Sequence, residues 1–252
     1  MKERTRFRRG AYLVPSLFTI GNLLCGYITV VRSIQGEFEW AAVALFIAAV
    51  LDRVDGWVAR LTGTTSDFGV QLDSLADVIS FGMAPALLAY MWALASLPKP
   101  WSLAPFLYVT AGAARLARFN IQSPGQDRRW FVGLPIPAGA CVVSACVFYS
   151  PERITDPVAG GMVAVLLTLL AGLMVSKVRY RSFKEIDLRS RIRWVLVLLV
   201  ALVYFVVAAS PQLVGLVLSF AYLVSGFLPR SGRAAPKEQA RPATAGGNDG
   251  AV

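Results

Sequence analysis

The sequence contains no histidine. That absence excludes a Ser-His-Asp triad, a Cys-His pair and any His-ligated zinc site. Acid–base or metal chemistry must then be carried by carboxylates, lysine, tyrosine or water. Cysteine is scarce as well. Cys25, Cys141 and Cys146 lie in apolar runs and form neither a CxxC pair nor an even disulfide framework, so they read as small buried hydrophobes. Charge is thin, at 16% of 252 residues, against about 25% in soluble domains, while 56% of the residues are hydrophobic. This composition puts the chain in the membrane class. A formal net charge of +10 would suggest nucleic acid in a soluble protein. Here the basic residues separate apolar segments, so membrane orientation and anionic lipid explain them and no nucleic-acid partner is expected.

A transmembrane helix needs about 20 mostly apolar residues. Eight such segments are predicted, over residues 12–31, 40–61, 71–96, 101–121, 132–149, 157–176, 194–209 and 211–228. The expected fold is an all-α polytopic membrane protein, a bundle of about eight transmembrane helices. A basic tail (1–11) precedes the membrane domain (12–228), and a tail rich in Ala, Gly, Pro and Arg (229–252) follows and is expected to be disordered. The last two segments are joined only by Ser210 and Pro211 and read as a helical hairpin or one broken span. The first apolar run lacks a small-residue cleavage site and more spans follow it, so it reads as a span, not a signal peptide.

Lys and Arg set the orientation. Eighteen of the 25 fall in the N-terminal tail, residues 122–131, residues 177–193 and the C-terminal tail. The opposite side holds Arg32, Lys99 and Arg153, and the other four lie near helix ends on the first side. By the positive-inside rule both termini are expected in the cytoplasm. The basic loop Lys177 to Arg193 reads as a contact with anionic lipid.

The second segment is apolar from Trp40 to Leu51 and then reads Asp52-Arg-Val-Asp55-Gly56-Trp-Val-Ala59-Arg60; the third opens Gly69-Val-Gln-Leu-Asp73-Ser-Leu-Ala-Asp77. An acidic residue at mid-membrane costs about 2.5–3.5 kcal/mol, less near the interface, and is a functional hypothesis by default. Asp52 and Asp55 are i, i+3 and share a helix face, as do Asp73 and Asp77 at i, i+4. The nine residues Thr62 to Val70 are expected to connect two antiparallel neighbours, with both acidic pairs at one end. Four carboxylates then converge with Arg60 and Arg53 as the nearby cations, and hard divalent cations with oxygen ligands neutralise such a cluster well. Gly56 and Gly69 cost about 1 kcal/mol each in a helix relative to alanine, which fits close approach of a ligand or simple helix packing. Structural ion pairing with Arg53 and Arg60, or an ion or proton pathway, are the other readings of the aspartates.

The string Asp52-x2-Asp55-Gly56-x2-Ala59-Arg60-x8-Gly69-x3-Asp73-x3-Asp77 resembles, in full, the signature of the CDP-alcohol phosphotransferases. Further runs are similar to the phosphatidylserine synthase branch of that family: Pro15-Ser-Leu-Phe-Thr19-Ile-Gly-Asn22, Ser80-Phe-Gly-Met-Ala-Pro85, Arg115-Leu-Ala-Arg118-Phe-Asn120 and Phe131-Val-Gly-Leu-Pro135-Ile-Pro137. The branch often has Pro-Asn where this chain has Pro15-Ser16, so position 16 is given no role. The resemblance implies that CDP-diacylglycerol and L-serine give phosphatidylserine and CMP, with two Mg²⁺ or Mn²⁺ ions. It also implies a homodimer in the cell (inner) membrane with its active site at the cytoplasmic face. It implies that Asp52, Asp55 and Asp73 ligate metal, and that Asp77 is the catalytic base with a share in the metal. By the same pattern Gly56, Arg60, Ser66 and Gly69 bind the CDP-lipid, with Thr19 and Asn22 beside that pocket. Metal-assisted direct displacement is then expected, since positioning and electrostatics do most of the work in such transfers.

The acceptor is read from charge. A carboxylate suits a forked guanidinium, so Arg115, Arg118 and Asn120 are the candidate serine-binding residues, with membrane anchoring as the alternative. The same chemistry with glycerol phosphate or inositol phosphate is a second reading of function. An ion-coupled transporter is a distant third, disfavoured because the acidic cluster lies at one edge and not at the midplane.

Overall fold

A computed structural model describes residues 13–62, 67–121, 130–176, 179–181 and 210–226. The N-terminal tail, the segment at 194–209, the tail from Pro229 and Ser66 lie outside the described residues.

Helix α1 (Leu13–Gln35) runs four residues past the expected end at 31. It stops where glycine allows a left-handed residue: Gly36 has φ +80°, its N–H reaches the Ser33 carbonyl at 3.2 Å, and the Glu37 N–H reaches that of Arg32 at 2.9 Å. This is the paired closure of a glycine C-cap, and an Arg32–Glu37 ion pair lies across it. The turn drops directly into α2 (Phe38–Thr62), so α1 and α2 form a tight hairpin. Small residues make the packing close: Ala41, Ala42 and Ala48 are fully buried, and the Thr29 hydroxyl donates to the Ala41 carbonyl at 3.2 Å.

The third rod begins at Asp67, not 71, so the connection expected over nine residues is shorter. It comprises α3 (Asp67–Asp77), a widened π-helical stretch Val78–Met83, α4 (Ala84–Ala89) and a second π-helical stretch Tyr90–Leu94. The widening has a sequence cause. Pro85 has no N–H to offer the Phe81 carbonyl four residues back, and the buried Tyr108 hydroxyl donates to that carbonyl instead, at 3.1 Å. At the far end the Trp92 indole N–H is shared by the Ser150 and Glu152 carbonyls, both at 2.9 Å.

After a 3₁₀ turn (Lys99–Ser102), α5 spans Leu103–Ile121. Helix α6 (Ile136–Tyr149) starts later than the expected 132 because Trp130–Val132 is a strand, β1, followed by Gly133 at φ +86°. Helix α7 (Pro157–Val175) opens on Asp156, whose carboxylate accepts the Ala159 N–H at 3.0 Å. Strand β2 (Arg179–Arg181) pairs antiparallel with β1, Phe131 opposite Tyr180. The all-α expectation thus gains a two-stranded ribbon, and the connection it crosses was read only as basic loop. Helix α8 (Pro211–Ser225) packs on α6.

The main core joins Phe81, Tyr108, Leu134, Ile136, Leu167 and Met174. Among the described residues, three helices are long and apolar enough to cross a membrane by length and composition, over Leu17–Gln35, Phe68–Leu94 and Pro157–Val175. Helix α2 has 25 residues, about 37 Å at 1.5 Å per residue, but Asp52, Arg53, Asp55 and Arg60 charge its second half. Helices α6 and α8 are apolar but shorter.

Candidate functional site

One end of the bundle gathers the C-terminal ends of α2, α5 and α7 with the N-terminal ends of α3 and α6. The Asn120 amide on α5 donates to the Ser74 hydroxyl on α3 at 3.0 Å, and the Leu134 N–H before α6 donates to the Leu173 carbonyl of α7 at 3.0 Å. The ribbon joins the connections at this same end.

The aspartates meet here. Carboxylate oxygens of Asp52, Asp73 and Asp77 all lie within 4.8 Å of one another, and Asp77 is buried. Two unit charges at such a spacing repel by about 3.5 kcal/mol at an effective dielectric of 20. The one ion pair among the described residues, Arg32–Glu37, is at the opposite end, and Arg53 is exposed. Three converging carboxylates with no ion-paired cation among the described residues are a hard-oxygen donor set of the kind that suits Mg²⁺ or Mn²⁺, so the residues fit a divalent ion. Asp55 is outside the trio but an electrostatic neighbour of Asp52 and Asp73; buried, it accepts the Thr19 hydroxyl of α1.

Helix α1 forms the polar wall beside the cluster. Asn22, 1% exposed, directs its amide nitrogen to Asp77 Oδ1 at 3.5 Å, a long contact. Its backbone carbonyl accepts the Ser80 hydroxyl at 3.1 Å. The helices touch at Gly26, where a Cβ would lie 2.5 Å from Ser80 Oγ and 2.8 Å from Ser80 Cα. Glycine at 26 therefore lets α1 carry Thr19 and Asn22 to the aspartates.

Helix α5 separates the residues read as a group from sequence. Arg115 is largely buried, with Asp77 and Tyr222 of α8 as its electrostatic neighbours. Arg118 and Asn120 are exposed, and Asn120 is bound to Ser74. Gly56 and Gly69 are half-buried on α2 and α3. The backbone of Arg60 lies in the last turns of α2, but its side chain is outside the description, as is all of Ser66. Ser74, Ser80 and Tyr222 were missed by sequence reasoning. Ser74 and Ser80 sit inside quoted motifs and could have been weighed; Tyr222 lies in a plain apolar run with no local signal.

The profile of the CDP-alcohol phosphatidyltransferase family matches residues 12–216. The chain is similar to the CDP-diacylglycerol–serine O-phosphatidyltransferase of Helicobacter pylori, 37% identical over 194 residues, 77% of this chain and 82% of that one. It is 36% identical to the Bacillus subtilis enzyme of the same name over 173 residues, 68% of this chain and 92% of the relative. It is also 37% identical to the archaetidylserine synthase of Methanothermobacter thermautotrophicus over 169 residues, 66% of this chain and 69% of the relative.

Proposed function

The chain belongs to the CDP-alcohol phosphatidyltransferase family, and from that premise we propose that it transfers the phosphatidyl group of CDP-diacylglycerol to the hydroxyl of L-serine, giving phosphatidylserine and CMP. The observation that carries this is the convergence of Asp52, Asp73 and Asp77 within 4.8 Å, with a guanidinium, Arg115, on its border. The names of the relatives support the acceptor more firmly than the lipid, since they share serine and differ in the lipid part.

Asp52, Asp73 and Asp77 would hold Mg²⁺ or Mn²⁺, and Asp55 extends the donor set toward a second ion. A bound divalent cation supplies neutralisation of diphosphate charge. Asp77 takes the proton of the serine hydroxyl as its oxygen attacks the phosphatidyl phosphorus, and the phosphoanhydride bond breaks toward CMP. Such a base contributes about 10²–10⁴-fold. No covalent enzyme intermediate is invoked: no Ser or Cys of the motif has an activating base. Thr19 fixes Asp55 through its hydroxyl. Gly56, Gly69, Arg60 and Ser66 bind the CDP-lipid, which enters sideways from the bilayer. Eight spans, both termini and the site at the cytoplasmic side of the cell membrane, and a homodimer complete the reading; the basic residues of the connections support that orientation.

The test is CMP release by purified protein in detergent with CDP-diacylglycerol and Mn²⁺ or Mg²⁺. Release should require L-serine and fall at least about 10²-fold in Asp77→Asn. Release only with a phosphorylated alcohol would move the acceptor, and no release with any alcohol would refute the proposal.

A further inference from the structure

Buried polar side-chain atoms in folded proteins are almost always hydrogen-bonded, so exceptions ask for an explanation. Among the described residues two are without a partner: Oδ1 of Asn22 and Nε of Arg115. They lie in different helices, α1 and α5; Asn22 touches the Asp77 carboxyl through its amide nitrogen, and Arg115 is within electrostatic range of it. The orientation of the Asn22 amide follows from chemistry: a carboxylate accepts, so the NH₂ end faces Asp77 and the oxygen is the end left over. The two orphans are of opposite kind. Oδ1 can only accept and Nε–H can only donate, yet they do not bond to each other.

A molecule that satisfies both must bring a donor to one side of Asp77 and an acceptor to the other, with a hydroxyl between. A phosphorylated alcohol brings anionic acceptors for Arg115 but only neutral hydroxyls for Oδ1. An α-amino acid zwitterion brings an ammonium, which only donates, and a carboxylate, which only accepts and pairs well with a guanidinium.

We propose that Asn22 Oδ1 and the Arg115 guanidinium are a two-point clamp for the acceptor's zwitterion. Oδ1 receives the α-ammonium and Arg115 the α-carboxylate, and the clamp presents the β-hydroxyl to Asp77. The clamp rests on the serine-acceptor reading and deepens it. It assigns Asn22 to the acceptor and not to the CDP-lipid. It also selects Arg115 over its neighbours, because Arg118 is exposed and Asn120 spends a donor on Ser74.

The test begins with unmodified protein and three acceptors: L-serine, ethanolamine (no carboxylate) and β-hydroxypropionate (no ammonium). Each truncated acceptor should lose roughly 100-fold or more in kcat/KM for CMP release, because it leaves a buried partner unpaired. Asn22→Ala should then abolish the preference for L-serine over β-hydroxypropionate while keeping the preference over ethanolamine. Arg115→Ala should do the reverse. KM for CDP-diacylglycerol should stay within about twofold in both, as expected when only acceptor binding is removed; a merely structural loss would move all three acceptors and the lipid together. Unmodified protein that uses β-hydroxypropionate as well as L-serine overturns the clamp alone. So does an Asn22→Ala variant whose lipid KM rises while its acceptor ratios stand. Absence of any serine-dependent release overturns the acceptor reading and the clamp with it.

Discussion

The hydroxyl of Tyr108 stands in for a backbone donor that Pro85 removes, and this makes a quantitative prediction. Tyr108 and Phe81 are both fully buried, and the hydroxyl-to-carbonyl distance is 3.1 Å. Tyr108→Phe removes one oxygen and leaves the ring packing intact. The Phe81 carbonyl then loses that donor in a dry site. Leaving a buried polar group unpaired costs about 1–3 kcal/mol, whereas interhelical hydrogen bonds within membranes average about 0.6 kcal/mol with a ceiling near 1.7. Complete burial argues for the upper part of the membrane range, so the expected loss is about 1–2 kcal/mol. For a chain of this size that corresponds to a melting temperature lower by about 3–7 °C.

Pro85→Ala supplies the control. It restores an N–H four residues beyond Phe81, giving the carbonyl a helical donor. Tyr108→Phe in that background should cost less, by about 1 kcal/mol of coupling, as expected for residues that share one partner. The assay is thermal unfolding of four proteins in one detergent: parent, both single variants and the double. If Tyr108→Phe melts with the parent, or costs the same in both backgrounds, the hydroxyl is not replacing the missing donor and this account of the π-helical stretch is wrong.

Two further predictions concern α1. Thr19→Val keeps the shape and deletes the hydroxyl that holds Asp55; loss of such an outer contact should raise the Mn²⁺ or Mg²⁺ concentration for half-maximal CMP release by roughly 10–100-fold, and an unchanged titration would remove Thr19 from the site. Gly26→Ala places a carbon 2.8 Å from Ser80 Cα, where backbone must yield, and should destabilise by about 1–3 kcal/mol. Gly161→Ala lies within α7 and meets nothing within 4 Å, so it should match the parent or gain up to about 1 kcal/mol, as alanine does over glycine in a helix. Equal melting of these two variants would mean that the α1 crossing is not set by glycine.

The acidic residues were legible because four carboxylates cannot hide in apolar runs, and helical spacing puts each pair on one face. Spacing does not say which carboxylates finally converge. Asp55 is i, i+3 to Asp52, yet it is turned to Thr19, 36 positions away in the chain, and only the packing of α1 on α2 decides that. The same holds on α5. Arg115 and Arg118 share a face by spacing, but about 60° of residual rotation at 3.6 residues per turn leaves one buried beside Asp77 and the other exposed. Helix ends were legible only coarsely: α1 runs past the expected 31 to Gln35 before Gly36 stops it, and at 67 charged and polar residues mask the start of α3.

The ribbon was beyond reach from local sequence, because three residues on each side carry no period to read, and its partners are far apart in the chain. Yet it bears on a sequence argument made without it. Counting Lys and Arg puts the connections 122–131 and 177–193 on one face of the membrane. Pairing of Trp130–Val132 with Arg179–Arg181 is possible only if they do share a face, and geometry knows nothing of the charge rule. The same end holds the aspartate cluster, through Asn120 to Ser74. The carboxylates thus sit where the surrounding connections are basic. A diphosphate lipid approaching that end meets attraction from the surface first, and the repulsion of the carboxylates only within the last ~10 Å, about one Debye length at 0.1 M salt. On the proposed function, divalent charge held among Asp52, Asp73 and Asp77 would serve the docking of the anionic donor as well as its reaction.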